Sequence, residues 1–152
     1  MFCWHTEDLD LYSINFLHFG KPKFWYCIPP THTEAFERFA QFSFPNNYMQ
    51  CSQFLRHKNT MISPMVLKNA GIRVQRLVQH PGEFIVIFSR VYHSGFNSGF
   101  NCAEAVNFAL PKWISVGKAA TRCTCQQGSV TIDMEEFENN LKVPRKRSRR
   151  QS

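Results

Sequence analysis

Phe2-Cys3-Trp4-His5-Thr6-Glu7-Asp8-Leu9-Asp10-Leu11 is the stretch on which the reading of the fold turns. In an extended segment alternate side chains share a face, so His5 and Glu7 point the same way. Another histidine stands far downstream, in Tyr92-His93-Ser94-Gly95-Phe96-Asn97. Two imidazoles and one carboxylate compose the facial triad that holds non-haem Fe(II) and leaves coordination positions open. A His-x-Glu by itself is more often an ordinary surface pair, and the surrounding residues decide between the two readings. Phe2 and Trp4 bracket His5 with apolar surface, which limits water near a metal.

Asn15, Lys23 and Trp25 follow. An iron oxygenase that consumes 2-oxoglutarate needs a cation for the distal carboxylate, an amide near the metal end and an apolar wall for the carbon chain. Lys23 offers a compact charge for a shielded carboxylate. Asn15 offers the amide and Trp25 a flat face. Each also has a plainer reading, Lys23 as a solvated turn residue after Gly20 and Pro22, and Trp25 as core.

The run Phe2 to Gly20 closely resembles the JmjC domain of histone lysine demethylases. Trp25-Tyr26-Cys27-Ile28-Pro29-Pro30, Phe54-Leu55-Arg56-His57-Lys58, Ile62-Ser63-Pro64, Gly82-Glu83-Phe84 and Gly99-Phe100-Asn101-Cys102-Ala103-Glu104 carry the same resemblance, in order, over nearly residues 1 to 138. The resemblance points to the subfamily acting on trimethylated lysines 9 and 36 of histone H3. It implies Fe(II) at His5, Glu7 and His93. It implies 2-oxoglutarate at Asn15 and Lys23, with Phe2 and Trp25 as pocket walls. It places Lys58 near the oxygen side of the iron, and Asn107 with Ala105 at the border of the methylammonium pocket. The implied reaction is oxidative demethylation with release of formaldehyde. The implied partner is a methylated histone H3 tail and the implied location the nucleus.

Six cysteines raise the question of another metal. Cys123-Thr124-Cys125 puts two thiols close together, and Cys51 lies six residues before His57 in a segment expected to be helical. Three Cys and one His suit a closed tetrahedral zinc site. Cys-x-Cys is not the usual Cys-x-x-Cys knuckle, so spacing alone favours four unrelated residues. The resemblance implies structural Zn(II) at Cys51, His57, Cys123 and Cys125, tying the region around 45–60 to the segment after the last core helix. Cys3, Cys27 and Cys102 read as small packing residues.

With 152 residues the chain is long enough for one domain with a real core. Aromatics make up 14% of it, including 15 Phe, which suits a sheet-rich core with an apolar pocket. No run of eighteen apolar residues offers a membrane span. Of the net charge of +7, six positive charges sit in the tail 142–152, which has no acid. The body is therefore near neutral, and the tail reads as a disordered basic segment for nuclear import or contact with nucleic-acid phosphates. The organisation expected is a catalytic core over 1–120, a zinc segment and C-terminal helix over 121–141, and this tail.

Strands are expected near 8–18, 23–28, 73–79, 83–88, 92–97 and 102–109. Phe84-Ile85-Val86-Ile87-Phe88, a continuous apolar run, suggests a strand covered on both faces. Thr31-His32-Thr33-Glu34 reads as a capping box opening a helix to about Phe42, with Phe36, Phe39 and Ala40 as its core stripe. Ser63-Pro64, Pro111 and Asp133 mark three further helix starts. Strands with inserted helices around an iron triad suggest a mainly β fold, a double-stranded β-helix of JmjC or cupin-like jelly-roll type.

Two departures from the family pattern stand out. The family has a long region ahead of the iron motif, with early barrel strands, a tyrosine for 2-oxoglutarate and part of the methyl cage. The expectation is a barrel incomplete at its N-terminus, and a catalytically inactive chromatin-associated remnant is the alternative to an active demethylase. A cupin-like small-molecule metal protein fits less well, because it leaves the zinc set unexplained. The other departure is Phe88-Ser89-Arg90-Val91-Tyr92-His93, where the family usually has Phe-Pro-x-Gly-Tyr-His. A Val forced to positive φ would be strained by about 1–3 kcal/mol.

Overall fold

A computed structural model describes residues 1–125 and 128–142. The β-branched and aromatic runs form β1 (Phe2–His5), β2 (Tyr12–Gly20), β3 (Lys23–Cys27), β4 (Gln75–Gln79), β5 (Phe84–Ile87), β6 (His93–Asn97) and β7 (Asn101–Phe108). They make two antiparallel sheets, ordered β1-β6-β3-β4 and β5-β2-β7. The chain crosses between the sheets after β1, β2, β4, β5 and β6, so the two sheets are wound together, as a double-stranded β-helix requires. The helices α1 (Thr33–Ser43), α2 (Pro45–Gln50) and α3 (Pro64–Asn69) are inserted between β3 and β4, while α4 (Trp113–Ala119) and α5 (Met134–Lys142) follow β7.

Alternation along β2 assigns its faces. Asn15 reaches Gln79 of the opposite sheet through hydrogen bonds, so Ser13, Asn15 and Leu17 face inward. Tyr12, Ile14 and Phe16 face out. Register carries the same division to the neighbours, putting Ile85, Ile87, Ala103, Ala105 and Asn107 inside.

Two apolar clusters lie beside the barrel. Trp4, Ile28, Phe36, Ala40, Phe54, Leu67 and Tyr92 belong to one, which joins the inserted helices to β1; Trp4 Nε1 donates to the Ile62 carbonyl at 2.8 Å. In the other, Leu9, Tyr12 and Trp113 pack with Phe137 of α5, and Trp113 Nε1 donates to the Leu9 carbonyl at 3.0 Å. The stripe of Phe36 and Ala40 is thus core, with Phe39 partly buried against it.

Several sequence expectations need correction. The strand foreseen from residue 8 begins at Tyr12, because Asp8–Asp10 form a 3-10 turn in which Leu9 and Asp10 take left-handed φ values of 53° and 54°. β1 lies ahead of every strand range expected. The Thr31–Glu34 capping box does not form: α1 is capped at His32 without a side-chain hydrogen bond, after a 3-10 turn at Pro30–His32. Glu34 instead pairs with Arg38 one turn along, at 3.5 Å. Ser63 and Asp133 do cap as expected, accepting from Met65 N and from Glu135 and Glu136 N. Between Cys51 and His57 only Phe54–His57 is helical, as a 3-10 turn. Cys102 is exposed and is not a packing residue.

The β5 reading fails on one face. Ile87 is buried, but Phe84 and Val86 are 61% and 43% exposed and Val106 beside them 62%. Together with Ile14 and Phe16 they form the exposed part of the outer face of the β5-β2-β7 sheet, whose Tyr12 end is covered by Trp113 and Phe137. Continuous hydrophobicity cannot say whether both faces find a neighbour. None of the described helices is long and apolar enough to cross a membrane.

These burials predict unequal costs. Trp113→Ala should lower unfolding free energy by about 3–5 kcal/mol, whereas Phe84→Ser should change it by no more than about 0.5 kcal/mol. Denaturant unfolding of both variants checks the contrast, and equal losses would show that the outer face is covered.

Candidate metal centre

His5 closes β1 and His93 opens β6, and the two residues are register partners across the antiparallel ladder. Their rings consequently stand side by side, with centroids 4.3 Å apart. Glu7 follows in extended conformation at φ −64°, ψ 153°, which preserves the two-residue repeat and keeps its carboxylate on the face of His5. His93 Nε2 lies 3.5 Å from Glu7 Oε1, and one donor atom from each of the three residues comes within 4.8 Å of the others. His93 is 3% exposed.

Hydrogen bonds fix what the imidazoles present. His5 Nδ1 lies 2.7 Å from the Cys3 carbonyl and His93 Nδ1 3.1 Å from the Val91 carbonyl. A carbonyl only accepts, so each Nδ1 carries a proton and Nε2 is the ring nitrogen that each histidine turns inward. Such outer hydrogen bonds orient metal-ligating histidines. Burial, followed by the charge of His93, lowers the His5 pKa to about 4. Burial alone would raise Glu7, but hydrogen bonds from His93, Ser13 and Asn107 outweigh it and bring its pKa to about 2. At neutral pH the site therefore holds an ionised Glu7 carboxylate and a neutral His5 imidazole, with His93 Nε2 turned to the same point. One carboxylate with two imidazoles matches the donor preference of Fe(II).

Beside the triad stand two aromatic rings with a cation next to them. Phe2 and Trp25 meet edge to face at 5.1 Å, and each lies about one ring from His93, at 6.2 and 6.1 Å. Lys23 Nζ sits 5.6 Å from the Phe2 ring and 5.9 Å from that of Trp25, and donates to Asn97 Oδ1 at 2.6 Å. Burial lowers the Lys23 pKa. Gly95 makes the Phe2 position possible, since a Cβ there would run into the Phe24 carbonyl and the Phe2 ring. Asn15 is half-buried on the inner face, opposite Ala105. Asn107 lies opposite Ser13 and donates to the Tyr12 carbonyl at 3.3 Å, while Ala105 is exposed. Lys58 has φ 56° and pairs with Asp8 at 3.2 Å.

The sequence reading passed over Gln79. It is fully buried, accepts from Trp25 Nε1 at 2.9 Å, and donates to Asn15 Oδ1 at 3.1 Å and to the Glu83 carbonyl at 3.0 Å. A Gln in Gln75-Arg76-Leu77-Val78-Gln79 gives no sign of this until its register is known. Ser94 was passed over too; its hydroxyl donates to the Phe2 carbonyl at 2.8 Å, tying β6 to the start of β1. The strain expected at Val91 falls instead on Arg90, which has φ 64°. Its guanidinium turns to Asp10, 3.7 Å away.

A separate cluster joins Cys51, His57, Cys123 and Cys125. Cys123 Sγ lies 3.7 Å from Cys51 Sγ, 3.0 Å from Cys125 Sγ and 3.2 Å from His57 Nε2, which also lies 3.2 Å from Cys125 Sγ. A zinc tetrahedron with bonds of about 2.0–2.3 Å has edges of roughly 3.4–3.8 Å, so small adjustments would seat the ion. Thiol crowding, led by the Cys123 hydrogen bond, raises the Cys125 pKa to about 12. A bound cation reverses that preference by stabilising thiolates. Thr121 donates to Gln53 at 2.9 Å and fastens the same two segments.

Residues 1–108 match the family model of the JmjC domain, hydroxylase, and the chain belongs to that family, whose members are 2-oxoglutarate-dependent dioxygenases. Its relatives include the human protein named probable lysine-specific demethylase 4F, 56% identical over 136 residues, which cover 90% of this chain and 21% of the relative. Mouse lysine-specific demethylase 4B is 54% identical over 144 residues, covering 95% of this chain and 13% of that protein. Rat lysine-specific demethylase 4D is 53% identical over 144 residues, covering 95% and 28%. The chain thus spans less than a third of the length of these relatives.

Substituting His93 removes one of three converging donors. Mn(II), a redox-inert substitute for Fe(II), should bind the wild-type protein and not His93→Ala, as read from the electron paramagnetic resonance of free Mn(II). Unchanged binding would sink the assignment. At the thiol cluster, a strong chelator should lower the melting temperature, because closing such a site contributes to folding. A melting curve indifferent to chelator and to added zinc would rule that site out.

Proposed function

We propose that this chain carries the metal- and cosubstrate-binding part of a lysine demethylase that acts on methylated histone H3 in the nucleus. What supports the reading above all is the convergence of His5, Glu7 and His93, with Nε2 of both imidazoles directed inward, beside the Phe2 and Trp25 rings and the Lys23 ammonium. The relatives named as lysine-specific demethylases support the substrate class. Trimethylated lysines 9 and 36 are the sites we assign, on the resemblance of the motifs.

In this reading His5, Glu7 and His93 hold Fe(II). Lys23 pairs with the distal carboxylate of 2-oxoglutarate, Asn15 offers its amide nearer the metal, and Phe2 with Trp25 shield the carbon chain from water. Asn107 and Ala105 border the methylammonium, and Lys58 lies toward the oxygen side. When bound, Fe(II) supplies the reduction of O₂ that couples conversion of 2-oxoglutarate to succinate and CO₂ with hydroxylation of an N-methyl group, which then leaves as formaldehyde. Zn(II) at Cys51, His57, Cys123 and Cys125 anchors the 121–141 segment to the 1–120 core. The basic tail, which we assign to import or phosphate contact, lies outside the described residues apart from Lys142.

Another reading, a non-catalytic chromatin-associated form, draws on the exposed part of the outer face of the β5-β2-β7 sheet. A barrel with an open apolar face is poorly placed to hold a dry reaction site. Residues 1–152 alone should therefore release little formaldehyde from a trimethyl-lysine H3 peptide. Fusion to the family region that precedes the iron motif should restore release that depends on 2-oxoglutarate. Robust turnover by the short chain would overturn the need for that region. Cosubstrate binding separates the residues from the turnover question: Lys23→Ala should weaken 2-oxoglutarate binding to the Mn(II)-loaded protein by about tenfold to over a hundredfold, the equivalent of roughly 1.5–3 kcal/mol for a charged hydrogen bond. Isothermal titration checks it.

A further inference from the structure

The four non-glycine residues with left-handed φ among the described residues are Leu9, Asp10, Lys58 and Arg90. Each stands within three residues of a candidate metal ligand: Leu9 and Asp10 after Glu7, Lys58 after His57, Arg90 before His93. Left-handed backbone outside glycine is costly and persists only where surroundings over-determine it. Here the surroundings converge on one residue.

Asp10 is 6% exposed. Its Oδ1 accepts from Arg56 Nη2 at 2.9 Å and from the Thr6 hydroxyl at 3.4 Å, and its Oδ2 lies 3.7 Å from Arg90 Nε. Its backbone carbonyl accepts from the Ser89 hydroxyl at 2.6 Å. Arg56, only 15% exposed in its side chain, also reaches back to the Glu7 carbonyl at 3.5 Å. Three chain segments therefore meet at Asp10. Residues 6–10 carry Glu7, residues 89–93 carry His93, and residues 56–58 carry His57 of the thiol cluster. Ser89, which stands where the family usually has Pro, is a departure from the family pattern that this contact uses.

We propose that Asp10 is a positioning residue that sets the approach of Glu7 to His93 and links the triad to the His57 segment. The proposal rests on reading His5, Glu7 and His93 as a metal triad. The Asp10 carboxylate touches neither metal nor substrate. It acts by holding the turn that follows Glu7 and the loop that precedes His93. A free turn would let the carboxylate swing away from the imidazole pair, and the cost would appear in metal affinity and geometry.

The test is Mn(II) binding to the full chain with zinc present, followed by electron paramagnetic resonance. Asp10→Asn keeps shape and left-handed tolerance but removes the charge. Ser89→Ala cuts the tie to the His93 loop alone, and serves if Asp10→Asn does not fold. Either folded variant should bind Mn(II) about tenfold to a hundredfold more weakly, as outer-shell substitutions do. The line shape of the bound ion should change, and zinc content should remain at the wild-type value. Leu67→Ala, on α3 in the core cluster of the inserted helices, should lower the melting temperature but leave affinity and line shape alone. Wild-type affinity and line shape in both folded Asp10→Asn and Ser89→Ala would overturn the positioning role while leaving the triad intact. Absence of Mn(II) binding to the wild-type chain would overturn the triad reading, and the proposal with it.

Discussion

Everything at the centre of this molecule depends on one pairing in the β1/β6 ladder, His5 against His93. A shift of a single residue would turn one imidazole to the opposite face and leave the carboxylate with one partner. The register is guarded from several sides. Gly95 admits the Phe2 ring, Ser94 ties β6 to the Phe2 carbonyl, and each histidine is fixed through Nδ1 by the backbone carbonyl two residues before it. The aromatic pair and Lys23 are placed by the other edge of β6, since Trp25 is the β3 partner of Gly95 and Lys23 the partner of Asn97. One strand, β6, thus organises both the donor set and the residues beside it.

The amount legible in the sequence differed by kind of residue. Same-face placement of His5 and Glu7 followed from the strand repeat, whereas the choice of His93, Lys23 and Trp25 came from the resemblance of the motifs to the JmjC domain. The Ser63 and Asp133 caps were legible because they act near their own position in the chain. The left-handed turn at Leu9 and Asp10 was not, because its causes are tertiary: Trp113 from α4, Arg56 from the inserted region and Ser89 from the loop before His93. The capping box at Thr31 failed for a related reason. Its four residues were adequate locally, but the chain leaves Pro29 and Pro30 in a 3-10 turn and begins α1 at Thr33.

The apolar run of β5 shows a different limit. Phe84, Val86 and Val106 have the composition of an interior and the exposure of a surface. Hydrophobicity reports that a face is suited to burial; it carries no information about whether a neighbour is within the same stretch of chain. The JmjC family assignment and the much greater length of the relatives are consistent with a sheet shaped for more polypeptide than the described residues contain.

Gln79 has a consequence that reaches the proposed cosubstrate site through Asn15. An indole N–H can only donate, so Trp25 dictates that the oxygen of the Gln79 amide faces the indole and its nitrogen faces Asn15. The nitrogen in turn claims the oxygen of Asn15. The Asn15 amide has no freedom left to flip, and its N–H pair is directed away from Gln79. Polarity is handed on from ring to amide to amide, and what emerges at Asn15 is a donor. In the proposed cosubstrate site, a donor at Asn15 and the Lys23 ammonium would together favour a ligand with acceptors at both of its ends.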